Sequence, residues 1–333
     1  MDGDGGFARL ARQSVRSIHR RGVAENAAPS GEKKIAEERC METIGFVGVG
    51  KIGLSISQNL INSGRRVVGY RRHSLAEFEK IGGVPARSPA DVGAQADIVL
   101  SCLPSTEALD DVVHGPHGLI HSARPGQIVV ELGSHPVPDK QRQVPLFEQK
   151  GAIFIDGEVS GTPGMVSARK GVIYLAGDAE ACKKIEPVIA GFADSCLYFG
   201  AFGAASRVKL INNLLVAINI AATAEAMALG LKAGVDVPLM IKAVATGSGG
   251  STQFGIRAPW MADRRFQPVQ GDVPTLQHYF GMIGDLAASL GIATPILDAV
   301  VPLYQRFIDM GLADNDVAAM IDVLASLPRA ENR

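Results

Sequence analysis

The amino-acid sequence predicts an α/β domain with a doubly wound, mostly parallel sheet, followed by an all-α domain. From about Thr43 to Ala201, short apolar or β-branched runs alternate with helical segments, which is typical of strand–helix–strand units. From Ser206 onward the strand signal stops and one helical segment follows another. The chain of 333 residues has the length of about two domains, and each can bury its own core.

The strands of the first domain are predicted from short runs of apolar residues that end at turn residues. They are Ile44–Gly48, Arg66–Tyr70, Ile98–Leu103, Ile128–Leu132, Phe154–Ile155 and Val172–Ala176. The second domain opens with a proline-free segment from Arg207 to about Gly234 that is apolar nearly all round. We expect other helices or a second subunit to pack around this long interdomain helix, in a homodimer or homotetramer.

The predicted domain bounds are residues 43–204 for the α/β domain and 205–330 for the all-α domain. Residues 1–42 are interpreted as a disordered extension, and Met41 is a candidate translation start just before the first strand. Arginines in this extension leave a transit peptide or a nucleic-acid arm open, but nearby acidic residues make both less favoured.

Composition excludes several classes of protein. With 47% hydrophobic and 20% charged residues the chain is globular, and its formal net charge of -1 does not favour nucleic acid as a partner. The four cysteines lack metal-type spacing, so neither a metal site nor a disulfide framework is predicted, and we expect a cytoplasmic location. No uninterrupted apolar run reaches the roughly 18 residues of a membrane span.

A glycine-rich loop follows the first predicted strand. Residues 45–53 read G-F-V-G-V-G-K-I-G, so Gly48, Gly50 and Gly53 form G-x-G-x-x-G between a strand and a helix. This context predicts a Rossmann-type dinucleotide site, with the diphosphate at the helix N-terminus. Lys51 and Ile52, inside the motif, are further candidate cofactor-binding residues.

The end of the second strand indicates which dinucleotide binds. An acidic residue normally bonds the adenine ribose of NAD at this point, but residues 70–74 read Y-R-R-H-S. The guanidinium groups of Arg71 and Arg72 suit a ribose phosphate, so the sequence predicts that NADP(H) is preferred over NAD(H), with Tyr70 beside it. The alternative is that both arginines are solvated loop charges.

Three further segments carry a family resemblance. They are Leu103-Pro104 after the third predicted strand, D-G-E-V-S-G-T-P at residues 156–163, and G-A-F-G-A-A-S-R-V-K-L-I-N-N at residues 200–213. Together with the glycine loop, they make the chain resemble the β-hydroxyacid dehydrogenases from about Thr43 to Leu324. The family includes the 3-hydroxyisobutyrate, tartronate semialdehyde and 6-phosphogluconate dehydrogenases.

The resemblance implies a role for each matched residue. Lys209 would exchange a proton with the substrate while the nicotinamide exchanges hydride, and Asn213 would help to hold the substrate. Their spacing of four places both on one helical face. Ser160, Gly161 and Thr162 would bind the substrate, and Leu103 and Pro104 would contact the cofactor.

Two positions depart from the family pattern. The family's substrate-contacting serine aligns with Gly133, so Ser134 is expected to replace it by a shift of one residue. A second active-site lysine of the family aligns with His278, which still offers a titratable donor. These changes suggest a substrate other than 3-hydroxyisobutyrate.

The resulting hypothesis is an NADP-dependent oxidoreductase that interconverts a small β-hydroxy acid, or a related alcohol, with its semialdehyde or ketone. Imine reductases share this architecture but usually lack the lysine. A non-catalytic NADP-binding scaffold is the alternative from another class of protein.

Overall fold

The computed structural model describes residues 42–328. The predicted N-terminal extension, up to residue 41, lies outside the described residues. An eight-stranded sheet comes first, with the order β3-β2-β1-β4-β5-β6-β7-β8. The strands are β1 Thr43–Val47, β2 Arg66–Tyr70, β3 Val84–Pro85, β4 Ile98–Ser101, β5 Ile128–Glu131, β6 Ile153–Ser160, β7 Val172–Ala176 and β8 Ser195–Tyr198. Every neighbouring pair is parallel except β6 and β7.

Successive side chains of each strand point to opposite faces of the sheet, and in the central strands both sets are apolar. Both faces of the sheet are therefore covered. Ile44 and Phe46 of β1 pack on one side, whereas Val47 packs on the other. The helices of this part are α1 Lys51–Asn62, α2 Ala76–Lys80, α3 Pro89–Gln95, α4 Thr106–His114, α5 Val137–Gln141, α6 Val144–Glu148, α7 Pro163–Ser167 and α8 Ala179–Ile189, with a 3-10 turn at Leu119–His121.

The remainder of the described chain is helical. Its elements are α9 Ala204–Ala233, α10 Val237–Thr246, α11 Thr252–Ala262, α12 Val273–Leu290, α13 Pro295–Asp309, a 3-10 turn at Val317–Ala319, and α14 Met320–Ala325. The predicted fold class, a Rossmann-type sheet followed by a helical part, is confirmed.

Helix α9 begins one turn earlier than predicted and ends where Gly234 adopts a left-handed conformation. By length and composition alone it could cross a membrane. Its buried side chains, however, pack on β6, β7 and the helices α11 to α14. The helix therefore joins the sheet to the helical part.

Two strands were not predicted and one is longer than predicted. Strand β3 has only two residues, one of them a proline, and β8 is a half-exposed edge strand, so neither carries a clear apolar alternation. Strand β6 continues to Ser160 although Asp156 and Glu158 interrupt its apolar pattern. Both carboxylates are buried in the structure, and residues 156–160 continue the strand by pairing with β7.

Candidate active site

The glycine loop leaves open space in front of α1. A side chain at Gly48, whose φ is 90°, would place its Cβ 2.3 Å from the carbonyl oxygen of Cys102, and one at Gly53 would lie 2.5 Å from that of Gly48. No atom lies within 4 Å of a Cβ built at Gly50, the residue before α1. The residues thus fit a dinucleotide whose diphosphate approaches the free N–H groups of α1.

The loop after β2 is tied to this glycine loop. The N–H of Gly48 donates to the carbonyl oxygen of Tyr70 at 2.9 Å. Arg71 donates through Nη1 to the carbonyl oxygen of Val49 at 3.1 Å. Arg72 lies at the rim, where its exposed guanidinium group pairs with Asp111 at 3.0 Å. Both arginines lie beside the end of β2, where a dinucleotide's adenine ribose would lie.

The ends of β4 and β5 meet below this region. Leu103 is buried and Pro104 is exposed, directly after β4. The buried carboxylate of Glu131 accepts hydrogen bonds from Ser101 and from the N–H of Gly133, the latter at 2.7 Å. Nε2 of His135 lies 3.3 Å from the same carboxylate.

This carboxylate explains why glycine occupies position 133. A Cβ there would lie 2.5 Å from Oε1 of Glu131 and 2.8 Å from the carbonyl oxygen of Leu103. The space that a serine side chain would need is therefore filled by the chain itself.

A cluster of buried charges lies behind the end of β6. Lys140 of α5 is fully buried, and its Nζ lies 3.1 Å from both Asp156 and Glu158. Ser206 of α9 donates to Asp156 at 2.6 Å and to Glu158 at 3.2 Å. Burial alone would lower the pKa of the Lys140 amine, but the charges of Glu158 and Asp156 raise it above its ordinary value. Sequence reasoning missed this cluster, since no spacing pattern links position 140 to β6.

Lys209 and Asn213 face the end of β6 from α9, and both are buried. Nζ of Lys209 donates to the carbonyl oxygen of Val159 at 2.7 Å. Burial lowers the pKa of the Lys209 amine, and the neighbouring Glu158 partly opposes that shift. Nδ2 of Asn213 is buried and faces the hydroxyl group of Tyr279, but it makes no hydrogen bond of normal geometry within the described residues. An ammonium group and an unpaired amide donor therefore face the same small volume.

Ser134 and Tyr279 complete this volume. Ser134 donates to Oε2 of Glu158 at 2.5 Å and accepts a hydrogen bond from Oη of Tyr279 at 3.1 Å. The ring centroid of Tyr279 lies 5.8 Å from Nζ of Lys209. Burial raises the pKa of the Glu158 carboxyl group, although Lys140 and Lys209 oppose this.

His278 is exposed and packs edge-on against Tyr279. The side chain that contacts Lys209 from this turn of α12 is its neighbour Tyr279. Successive residues of an α-helix differ in direction by about 100°, and His278 remains a predicted substrate-binding residue. The aromatic residue beside the aligned position was the signal that could have identified Tyr279.

The predicted substrate loop follows β6. Ser160 ends the strand, Gly161 has a φ of 149°, and the hydroxyl group of Thr162 accepts from the N–H of Met165 at 3.3 Å to cap α7. Nδ2 of Asn59, on α1, donates to the carbonyl oxygen of Val166 at 2.9 Å. The loop thus lies between Lys209 and the helix that opens the cofactor site. Within residues 42–328 no group of three or more His, Cys, Asp or Glu residues could hold a metal ion.

Comparison with known proteins matches both parts of the chain. Residues 43–200 match the NAD binding domain of 6-phosphogluconate dehydrogenase, and residues 203–324 match the NAD-binding domain family of NADP-dependent 3-hydroxyisobutyrate dehydrogenase. L-threonate dehydrogenase of Cupriavidus necator is 30% identical over 287 residues, which cover 85% of this chain and 96% of that protein. Mitochondrial 3-hydroxyisobutyrate dehydrogenase of Rattus norvegicus is 30% identical over 300 residues, which cover 84% of this chain and 86% of that protein.

A solved structure is similar over nearly the same length. The 3-hydroxyisobutyrate dehydrogenase of Mycobacterium tuberculosis, solved with L-serine, superposes with a TM-score of 0.77 at 25% identity. The match covers 86% of this chain and 100% of that chain.

Proposed function

We propose, since the chain belongs to the β-hydroxyacid dehydrogenase family, that it interconverts a small β-hydroxy acid or related alcohol and its semialdehyde or ketone. The observation that carries this proposal is the buried amine of Lys209 beside the unpaired amide donor of Asn213. A polar atom buried without a partner is rare in a protein core, and a substrate oxygen would satisfy it.

The cofactor is proposed to be NADP(H), in preference to NAD(H). Gly48, Gly50 and Gly53 would admit the diphosphate, while Arg71 and Arg72 would hold the ribose phosphate through charge-assisted hydrogen bonds. When bound, the nicotinamide supplies or accepts the hydride. Leu103 and Pro104 would lie against it at the end of β4.

Lys209 is proposed to be the acid/base. In the reducing direction its ammonium group donates a proton to the carbonyl oxygen, and in the oxidising direction its amine accepts one from the hydroxyl group. Burial favours both uses because it brings the pKa of the amine down toward neutral pH. The hydrogen bond to Val159 holds Nζ in one place, so each proton moves to or from a fixed position.

The substrate is proposed to lie with its acidic end at Ser160, Gly161 and Thr162 and its other end against Tyr279. Ser134 already donates to Glu158, and Gly133 has no room for a side chain. At that end of the site the hydroxyl group of Ser134 is therefore already used within the protein, and Gly133 supplies no hydroxyl group. The aromatic ring of Tyr279 takes the place of these donors. This arrangement favours a substrate whose far end is apolar or uncharged rather than a second anionic group.

The test is NADPH oxidation with a panel of semialdehydes, β-keto acids and imines, with NADH as the alternative cofactor. Lys209→Met keeps the length of the side chain but not its proton, and we expect kcat to fall by about 10²- to 10⁴-fold with NADPH affinity retained. Lys232→Met, at an exposed position at the end of the same helix, is the matched control. Turnover that survives Lys209→Met would contradict the proposed role.

Cofactor preference is tested on the same proteins. Replacement of Arg71 or Arg72 by alanine should weaken NADPH about 10-fold or more and leave NADH nearly unchanged. Arg87→Ala, at an exposed position beyond β3, is the control. Equal loss for both cofactors would mean that the arginines support the loop and do not select the phosphate.

Reduction of an imine is the second candidate, favoured by the aromatic ring of Tyr279 near the acid/base. It predicts turnover of imines and none of carbonyl compounds. A non-catalytic scaffold is less favoured, because Lys209 and Asn213 are both in place.

The protein is further proposed to be a cytoplasmic homodimer or homotetramer. Helix α10 has no buried residue although most of its side chains are apolar, and Leu229 and Leu239 are 71% and 63% exposed. A second copy of the chain would cover this surface.

A further inference from the structure

Tyr279 belongs to the helical part of the molecule, but its hydroxyl group is bound to the sheet part. It lies on α12, and Oη donates to Oγ of Ser134, 145 residues earlier in the chain, at 3.1 Å. Ser134 in turn donates to Oε2 of Glu158 at 2.5 Å. Two consecutive hydrogen bonds thus hold the ring against the end of β6.

The ring held in this way lies next to the amine of Lys209. Nζ lies 5.8 Å from the ring centroid, inside the distance of about 6 Å at which an aromatic face attracts an ammonium group. The phenol is uncharged near neutral pH, because burial raises its pKa above the ordinary value. The amine is therefore covered by an aromatic face on one side and bonded to the carbonyl oxygen of Val159 on another.

We infer that Tyr279 is a positioning residue of the active site, which holds the Lys209 ammonium group in place and favours its protonated form. This inference rests on the acid/base role proposed for Lys209. Burial disfavours the charged amine, and the ring face offsets part of that cost without adding a charge to the site. Ser134 acts on the amine indirectly, by fixing the ring, whereas Glu158 also acts on it directly through its charge.

Other groups also face this amine and must be kept constant in any test. They are Glu158 on β6, whose charge favours the ammonium form, and the thiol of Cys102 after β4. Burial raises the pKa of that thiol to about 12, so it stays neutral in the working range. Since substitution of Tyr279 leaves both groups in place, a shift in the Lys209 titration would report on the ring.

The test is the titration of Lys209 in the full-length protein without cofactor or substrate. Lysine labelled with ¹³C at Cε gives one signal per amine, and the signal lost in Lys209→Met identifies the residue. In Tyr279→Leu, which removes the ring, we expect the midpoint to fall by about half to one pH unit. In Tyr279→Phe, which keeps the ring, it should stay near the wild-type value.

Two controls keep this result specific. Tyr198→Leu, on the edge strand β8, should leave the midpoint unchanged. Tyr279→Met, which also removes the ring and leaves the hydrogen bond from Ser134 to Glu158 in place, should lower the midpoint as Tyr279→Leu does and serves if that variant fails to fold. An unchanged midpoint in both Tyr279→Leu and Tyr279→Met would overturn the inference, as would an equal fall in Tyr279→Phe and Tyr279→Leu.

Turnover provides the second readout. For carbonyl reduction, kcat/KM should fall as pH rises and the Lys209 ammonium group loses its proton. In Tyr279→Leu this fall in kcat/KM should occur at a lower pH, displaced by the same amount as the NMR midpoint. If the pH at which kcat/KM falls does not change together with the NMR midpoint of Lys209, the result would count against the positioning role. If Lys209→Met retains turnover, the proposed function fails while the titration still decides whether the ring acts on the amine.

Discussion

The side chains of the candidate site meet through one local spacing and through contacts between distant parts of the chain. Lys209 and Asn213 were predicted from a local motif, and the structure brings them together because their spacing of four is a property of the helix itself. Tyr279 and Glu158 act through contacts with residues far along the chain, such as Ser134, and no local pattern encodes those contacts.

Glu131 is the residue with the clearest consequence for stability against pH. Burial alone would raise the pKa of its carboxyl group, but the hydrogen bond and charge of His135, together with Lys140 and Ser101, lower it below the ordinary value. A lowered carboxyl pKa gives stability that is present above the unfolded value of about 4.3 and is lost as pH falls through the folded value.

We therefore expect Glu131→Gln to be about 1–3 kcal/mol less stable than the wild type at neutral pH, with a smaller difference as pH falls below about 4. The measurement is the free energy of unfolding in urea at several pH values. Glu148→Gln, at an exposed position, should follow the wild type throughout. Parallel curves for Glu131→Gln and the wild type would argue against a stabilising carboxylate.

At the scale of elements, long periodic segments were predicted well and short ones were not. Helix α9 and the strands formed by continuous apolar runs lie close to their predicted bounds. Strands β3 and β8 lie toward the edge of the sheet and depend on pairing with their neighbours more than on their own sequence. Strand β6 exceeds its predicted length because residues 156–160 pair with β7, and Lys140 neutralises the two carboxylates within that stretch.

One carboxylate connects three elements of the helical part. Asp316 is fully buried, and both of its oxygens accept from Nη1 of Arg257 on α11 at 2.8 Å. Its side chain also accepts from the N–H groups of Gln270 and Gly271 before α12, and from that of Ala318 in the following 3-10 turn. The cap that Asp316 provides for the 3-10 turn is thus one part of a larger junction.

Asp316→Ala should destabilise the protein by about 3–5 kcal/mol, because it leaves the Arg257 guanidinium group buried without its partner. Thermal unfolding is the measurement, and Asp314→Ala, two residues away and exposed, is the matched control. A melting temperature that falls equally in both variants would mean that the junction carries little of the stability.

At the scale of the whole molecule, the two-part architecture can be predicted from the sequence, because alternating strands and helices give way to helices alone. The number of subunits cannot be predicted in the same way. A helix that is apolar all round has more than one solution, since other helices of the same chain or a second copy can cover it. In α9, Ala217 and Met227 are fully buried within the chain, whereas Ile211 and Leu215 are each 53% exposed and belong to the surface that a second copy is proposed to cover.

Leu229→Asp combined with Leu239→Asp should therefore convert the assembly to monomers and leave the fold intact. Size-exclusion chromatography with light scattering measures the mass, and circular dichroism verifies the helical content. Leu327→Asp, in the C-terminal segment, is the control. The proposal fails if the wild type is itself monomeric, or if the double variant keeps the wild-type mass.

The buried pair of Lys140 and Glu158 has a consequence for how this chain can diverge from its relatives. Loss of Lys140 alone leaves two carboxylates buried without their cation, and loss of Glu158 alone leaves the buried Lys140 ammonium group with Asp156 as its one remaining ion-pair partner among the described residues. The two positions should therefore change together across related sequences, although 18 residues separate them in the chain. A relative with an uncharged residue at one position is expected to have lost the charge at the other, so joint occurrence of this lysine and glutamate would mark a distinct branch of the family.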